Sequence, residues 1–244
     1  MFPQTLFHFA GIGINLYLLF YALGVVPAVM LTLVLGRKGN LDAAQVFPLT
    51  IICLAAAFLG GPAISALFRT HLGLLVPGLW APAMIFAVIT LLSLYLALFP
   101  AYRKHIPQIL DIAAPAFALY WFFARLGCFS AGCCYGKPAG DLPWAVTFPN
   151  NLPLGGIPVH PTQLYEAFGM LAILALLLGL RQVPNFQGTL IWVFLVTYGI
   201  LRFVIEFYRG DPRAMLGAVS LNQVICLAFI VIAGGVVVLR IKAG

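Results

Sequence analysis

Apolar residues along this chain gather in long unbroken runs, separated by short polar or Pro/Gly-rich pieces. A run of about 20 such residues is long enough to cross the ~30 Å hydrocarbon core of a bilayer as a helix. Seven runs have that length, at 13–36, 46–68, 75–99, 108–129, 162–180, 187–208 and 216–239. They predict an all-α polytopic membrane protein of about seven transmembrane helices. No internal repeat or domain boundary interrupts the pattern, so residues 1–244 read as a single integral membrane domain. The first lysine or arginine is Arg37, so the first run lacks the positive region of a signal peptide and is expected to stay as a span. One connection is long, at about 130–161, and carries Gly, Pro, Asn and a strand-like WAVTF piece. Long connections in compact proteins are usually functional or disordered. The low charge and large apolar residues of this one predict a loop folded over the membrane boundary.

Composition strengthens the reading. Only 8% of residues are charged and 63% are hydrophobic, against about 25% charged in a globular domain, which excludes an ordinary soluble fold. The net charge of +7 does not point to nucleic acid, because the basic residues form no patch or stripe. They stand in ones and twos at the ends of apolar runs, as topology signals do, and anionic membrane lipid is the expected partner. With the N-terminus outside, the cytoplasmic segments hold Arg37, Lys38, Arg103, Lys104, Arg181, Arg240 and Lys242. The outer segments hold Arg69, Lys137, Arg209 and Arg213. That imbalance predicts an outer N-terminus, a cytoplasmic C-terminus and an extracytoplasmic 130–161 loop.

Charges inside spans are costly, about 2.5–3.5 kcal/mol each on insertion scales, and are functional candidates by default. Here they are Asp111, Arg125, Glu166, Arg202 and Glu206; the plainer alternative is a pair of structural ion pairs with a carboxylate reaching water at a helix end. In YGILRFVIEFYR, residues 198–209, Tyr198, Arg202, Glu206 and Arg209 form one stripe on a 3.6-residue helix. Glu206 is expected to hold Arg202 or Arg209, leaving the other guanidinium for an anion such as phosphate, which arginine's planar fork suits. In FARLGCFSAGCCYGKP, residues 123–138, Arg125 is followed by Gly127, Ser130, Ala131, Gly132 and Gly136, small residues that permit close backbone approach. In HPTQLYE, residues 160–166, His160, Gln163, Tyr165 and Glu166 stand where the loop returns to the membrane. His160 suits either a structural place at the helix start or a catalytic or headgroup role. Cys128, Cys133 and Cys134 form C-x4-C-C, which lacks the usual zinc spacing; structural, redox and metal readings all remain open. Cys53 and Cys226 read as small packed hydrophobes.

At these residues the chain resembles the prolipoprotein diacylglyceryl transferase family, seven-span inner-membrane enzymes. They move a diacylglyceryl group from phosphatidylglycerol to the lipobox cysteine of a bacterial prolipoprotein. The family signature Gly-Arg-x-Gly-Asn-Phe-x-Asn-x-Glu-x-x-Gly is matched by Arg125, Gly127, Phe129 and Gly136. The family's His-Pro-Ser-Gln-Leu-Tyr-Glu segment recurs at residues 160–166, changed only at Thr162. Its Tyr-Gly-x-x-Arg-Phe-x-x-Glu-x-x-Arg segment is complete at residues 198–209. Residues 111–115 resemble an Asp-x-x-Ala-Pro stretch, and Tyr17 corresponds to a tyrosine of the first span. Four positions depart: Ala124 stands for the first glycine, Cys128 and Ala131 replace the signature asparagines, and Cys133 the glutamate. A family Phe-His-Gly-Gly segment, whose histidine is a proposed base, falls on LVPGLWAP at residues 75–82, which has no histidine; His71 is only nearby.

The resemblance implies attack of a peptide thiolate on the glyceryl carbon bearing phosphate, with glycerol phosphate leaving. Arg125, Arg202 and His160 are then the catalytic candidates. Arg125, Arg202, Tyr198 and Tyr17 would hold phosphatidylglycerol. Glu206, Arg209, Gln163, Glu166, Gly127, Cys128 and Gly136 would support them. No cofactor and no metal are expected. The partners implied are phosphatidylglycerol, a prolipoprotein signal peptide with its lipobox cysteine and membrane lipid, without nucleic acid, in the bacterial cytoplasmic (inner) membrane. The cysteines are expected to line the donor pocket without covalent intermediates, since the acceptor brings its own thiol. Two other classes stand beside this reading: a membrane thiol oxidoreductase using Cys128, Cys133 and Cys134, and a lipid-binding or transport protein without transferase activity.

Overall fold

The computed structural model describes residues 5–9, 12–39, 41, 100–149, 154–212 and 214–243. The spans expected at 46–68 and 75–99, with Cys53, His71 and the LVPGLWAP stretch, lie outside the described residues. What is described is mostly helical: α1 (Leu16–Lys38), α2 (Ile106–Ala131), α3 (Thr162–Leu180), α4 (Leu190–Glu206) and α5 (Leu221–Ala243). Among the described residues, four helical segments are long and apolar enough to cross a membrane, at Leu16–Lys38, Arg103–Ala131, Thr162–Leu180 and Leu221–Lys242. α4, with 17 residues, stands at the short end of the spanning range of ~17–25. Large apolar side chains face outward, among them Phe168 at 63% and Val231 at 72% exposure, as expected of helices solvated by lipid.

Among the described residues, three short antiparallel hairpins qualify the all-α expectation. They are β1 (Thr5–Phe9) with β2 (Ile12–Asn15), β3 (Val146–Thr147) with β4 (Pro158–Val159), and β5 (Met215–Leu216) with β6 (Val219–Ser220). The first and last helices accordingly start later than their apolar runs. α1 begins where the Asn15 side chain accepts from the Leu18 N–H at 2.9 Å, an N-cap that hydropathy cannot register. α5 begins at a capping box: Gln223 N–H donates to Ser220 Oγ and Ser220 N–H to Gln223 Oε1, at 3.2 and 2.9 Å.

Small residues set the helix contacts, as is usual in membranes where packing rather than water drives association. A Cβ on Gly24 would stand 2.8 Å from Phe123 Cβ, and one on Gly127 3.1 Å from the Tyr17 carbonyl, so α1 and α2 touch closely at both places. α2, α3 and α4 share a core of Ala114, Ala118, Met170, Leu177, Leu190 and Phe194. Asp111 of α2 accepts from the N–H groups of Gly188 and Leu190. It therefore caps the start of α4, at the far end of the bundle from Arg125, and does not join the polar cluster described below.

The basic helix ends fall together. Arg181 donates to the Leu35 carbonyl at 2.8 Å, which brings the end of α3 beside Arg37 and Lys38. A Cβ on Gly188 would meet Arg240 and Pro107, so the end of α5 and the start of α2 share that side. Arg37, Lys38, Arg103, Lys104, Arg181, Arg240 and Lys242 thus mark one end of the bundle, and the loop following α2 marks the other.

Candidate active site

Glu166 is the hub of a buried polar cluster. It stands in the first turn and a half of α3 and is 1% exposed. Its Oε1 receives Arg125 Nη2 and the Trp121 indole N–H, both at 2.9 Å, and the Tyr198 hydroxyl at 3.4 Å. Arg202 Nη1 is 3.8 Å from Oε2, and Arg202 Nη2 pairs with Glu206 at 3.2 Å. The Arg125 guanidinium also stacks 4.8 Å from the Trp121 ring, one turn earlier on α2. Three helices thus bring two guanidiniums onto one carboxylate. Arg125 Nε is buried with no hydrogen-bond partner among the described residues. Buried ion networks repay their desolvation poorly and often contribute less than an apolar core would, so this network is a functional candidate rather than a stabilising device.

The stripe at residues 198–209 resolves differently from the helical expectation. α4 stops at Glu206, and Arg209 lies beyond it in a backbone bridge to Gly136. Glu206 holds Arg202. Arg209 is held instead by Asp211, with Nε and Nη2 donating at 2.6 and 2.5 Å. Burial opposes the charge of Arg209, but the Asp211 carboxylate more than offsets this and raises its pKa above the ordinary arginine value.

The loop after α2 is stitched to the other two motifs through its backbone. α2 ends in a Schellman turn: Gly132, at φ 67°, donates to the Phe129 carbonyl and Cys133 to the Cys128 carbonyl. That reversal folds Cys133 and Cys134 back over Cys128, and all three sulfurs lie within 4.8 Å of one another. Gln163 Nε2 then donates to the Cys133 carbonyl at 2.6 Å and Thr162 Oγ1 to the Cys134 carbonyl at 2.8 Å. Gly136 donates to the His160 carbonyl at 3.0 Å, Lys137 to the Tyr208 carbonyl at 2.8 Å and Gly210 to that of Tyr135 at 3.0 Å. A Cβ on Gly136 would stand 2.4 Å from the His160 carbonyl oxygen, so no larger residue fits that junction. Tyr135, Phe148 and Val159 form a small core beneath the loop, in keeping with a loop folded back on the bundle.

The thiols sit against the arginine cluster. Arg125 Nη1 reaches Cys128 Sγ at 4.0 Å, and the Tyr21 hydroxyl lies 3.9 Å from the same sulfur. Cys128 is buried and Cys133 and Cys134 are half-buried, and all three are free thiols. The neighbouring thiols of Cys128 and Cys133, then the Arg209 and Arg125 guanidiniums, hold the Cys134 thiol below its ordinary pKa against the effect of burial. Cys133 is pushed up, chiefly by the neighbouring thiols of Cys128 and Cys134.

Of the residues singled out from sequence, Arg125, Gly127, Cys128, Gln163, Glu166, Tyr198, Arg202 and Glu206 are brought into one connected region. Tyr17 borders it, its ring 4.6 Å from that of Tyr21. His160 joins through its backbone, while its ring engages Tyr165 Oη at 3.1 Å and lies 5.2 Å from the Tyr208 ring. Trp121, Asp211 and Tyr21 were not anticipated. Trp121 precedes Arg125 by one helical turn and Tyr21 follows Tyr17 by one, so helical spacing from known candidates held the signal for both.

An apolar helical bundle with two arginines buried around one carboxylate at one end is a membrane protein with a charged cluster in its interior. The model of the prolipoprotein diacylglyceryl transferase family matches residues 4–239, and this chain belongs to that family of transferases. The phosphatidylglycerol–prolipoprotein diacylglyceryl transferase of Clostridium tetani is 30% identical over 237 residues, covering 93% of this chain and 94% of that protein. The enzyme of the same name from Rhodospirillum rubrum is 32% identical over 247 residues, covering 93% and 87%. That of Idiomarina loihiensis reaches 40% identity over 118 residues, covering 48% and 42%.

Proposed function

We propose that this protein transfers a diacylglyceryl group from phosphatidylglycerol to the lipobox cysteine thiol of a prolipoprotein signal peptide. The supporting observation is the convergence of Arg125 and Arg202 on Glu166 inside an apolar bundle, in a chain whose relatives carry that activity in their names. The reaction breaks a C–O bond and releases glycerol phosphate as a phosphate monoester. Negative charge therefore grows at the edge of a low-dielectric region, where fixed guanidiniums stabilise it far more than water would allow.

In this reading Arg125 and Arg202 hold the phosphate, Glu166 and Glu206 fix the two forks, and Tyr198 and Tyr17 flank the donor. The unpartnered Arg125 Nε supplies a donor beyond those already used within the protein. His160 takes the acceptor proton; Gln163, Cys128, Gly136 and Arg209 keep the loop seated on the helices, and Gly127 lets α1 approach α2 beside them. We place the protein in the bacterial cytoplasmic membrane with seven spans, an outer N-terminus and a cytoplasmic C-terminus, so that the site and the 130–161 loop face outward. The gathering of basic helix ends opposite the site favours that orientation.

Purified protein with phosphatidylglycerol and a lipobox peptide tests the activity directly. Expected is a thioether-linked diacylglyceryl peptide together with glycerol phosphate. Absence of both products, with the same protein failing to rescue a strain depleted of its own transferase, would overturn the reading.

A further inference from the structure

We propose that Cys128, Cys133 and Cys134 form a three-sulfur site for a zinc-class divalent ion whose fourth position takes the acceptor cysteine thiol. The inference rests on the transferase reading for the identity of the incoming thiol, but not for the existence of the metal site. Three thiols from one chain turn meet within 4.8 Å of one another. A tetrahedral ion with Zn–S bonds of about 2.3 Å needs sulfurs about 3.8 Å apart, so side-chain torsions must draw them together by about 1 Å at most. Zinc sites with three protein ligands keep an open position for water or substrate. Thiolate donors select soft or borderline ions over magnesium and calcium.

The surroundings suit an ion there. Cys134 holds φ at 61°, a left-handed conformation that non-glycine residues rarely adopt and that tends to persist where surrounding structure fixes it for a task. Gln163 and Thr162 fix it by binding the Cys133 and Cys134 carbonyls. The Arg125 guanidinium and the Tyr21 hydroxyl approach Cys128 Sγ at 4.0 and 3.9 Å. Such outer donors orient sulfur ligands and temper their charge; three thiolates with a divalent ion carry one net negative charge, which Arg125 faces. Cys128 is buried whereas Cys133 and Cys134 are half-buried, leaving the loop side as the approach for a fourth ligand. The spacing C-x4-C-C hid this arrangement, because the Schellman turn at Gly132, not sequence interval, brings the sulfurs together.

The chemistry balances without a redox partner. The acceptor thiol binds the ion and loses its proton, toward His160 and water on the loop side, because a coordinating thiol is deprotonated outright. Its sulfur then attacks the glyceryl carbon: a C–S bond forms, the C–O bond breaks, and the bonding pair leaves on the glycerol phosphate oxygen beside Arg125 and Arg202. The product thioether is neutral and a weaker ligand than a thiolate, so it leaves the ion and frees the site.

The test uses full-length protein in lipid nanodiscs, titrated with Co(II) as a spectroscopic stand-in and then with Zn(II) as competitor. Expected is one ion per chain with an intense thiolate-to-cobalt band, displaced by Zn(II). Cys128→Ser, Cys133→Ser and Cys134→Ser should each weaken binding at least tenfold while the variants stay monodisperse with unchanged helical circular dichroism. Adding a lipobox peptide should strengthen the band, and the same peptide with serine in place of cysteine should leave it unchanged. Absence of a thiolate band, or a band insensitive to all three serine variants, overturns the site. A band unchanged by the cysteine peptide overturns the open fourth position. A responsive band in a protein that forms no lipidated peptide leaves the site standing and removes the transferase reading alone.

Discussion

Arg125 of α2 and Glu166 of α3 meet at 2.9 Å, with their side chains 10% and 1% exposed, and every other member of the polar cluster is arranged around that pair. Two antiparallel helices carry them, packed along their length through Ala114, Ala118, Met170 and Leu177. The cluster's geometry thus depends on the apolar core below it. Glu166 serves two arginines at once, so its loss strands both.

Glu166→Gln should therefore be the most destabilising change in the cluster. Breaking a buried ion pair from one side costs about 3–5 kcal/mol, because the remaining charge stays buried without compensation. A marked fall in thermal unfolding temperature of the purified protein is expected. Glu166→Gln combined with Arg125→Met should recover part of it, since the stranded charge is then removed. Failure of the double variant to recover would mean that Arg125 is not the residue stranded.

Arg125→Lys and Arg202→Lys should fold yet lose most activity. An ammonium keeps the charge but not the planar fork that donates two hydrogen bonds at once. Losing one preplaced donor to a forming oxyanion lowers kcat by about 10²–10³. Wild-type turnover of phosphatidylglycerol by Arg202→Lys would remove Arg202 from phosphate binding.

Much of this architecture is legible in the sequence, and the illegible parts have identifiable causes. The run at 162–180 coincides with α3, because Pro161 precedes its start and the polar RQ pair marks its end. The run at 216–239 opens too early, because hydropathy cannot distinguish the apolar β5–β6 hairpin from the helix that Ser220 and Gln223 cap. The 198–209 stripe shows the same limit: helical spacing joins Arg209 to Arg202, but the chain leaves the helix after Glu206 and gives Arg209 to Asp211. Arg125, Arg202 and Glu166 stand out because charge inside an apolar run is costly. The partnership of Glu166 with both arginines is a tertiary fact that no local pattern carries.

Gly136→Ala should detach the loop from the helices. Its Cβ would stand 2.4 Å from the His160 carbonyl and 2.9 Å from that of Tyr208, both backbone atoms that cannot swing aside. Limited proteolysis should then cut the loop near Trp144 faster than in the wild type. Gly179→Ala, where nothing lies within 4 Å, serves as the control and should be neutral or stabilising by up to about 1 kcal/mol, as alanine favours the helix. Equal protection of the loop in the two variants would show that the Gly136 junction does not seat it.

The proposed orientation in the membrane rests on the two ends of the bundle. Arg37, Lys38, Arg181 and Arg240 crowd one end through the Arg181–Leu35 hydrogen bond and the approach of Arg240 to Gly188. The site, with its loop, occupies the other. Lysine and arginine near span ends are retained on the cytoplasmic side, so the exposed loop residue Asp141 should face outward and the exposed helix-end residue Lys38 inward. Asp141→Cys and Lys38→Cys can be compared with the wild type, whose own half-buried cysteines set the background. A membrane-impermeant maleimide should label Asp141→Cys in intact spheroplasts, and Lys38→Cys only after permeabilisation. The opposite pattern would place the arginine cluster on the cytoplasmic side, out of reach of a signal peptide presented at the outer face, and the acceptor would then have to come from the cytoplasm. Labelling of both positions in intact spheroplasts would reject a loop and a helix end on opposite sides of the membrane.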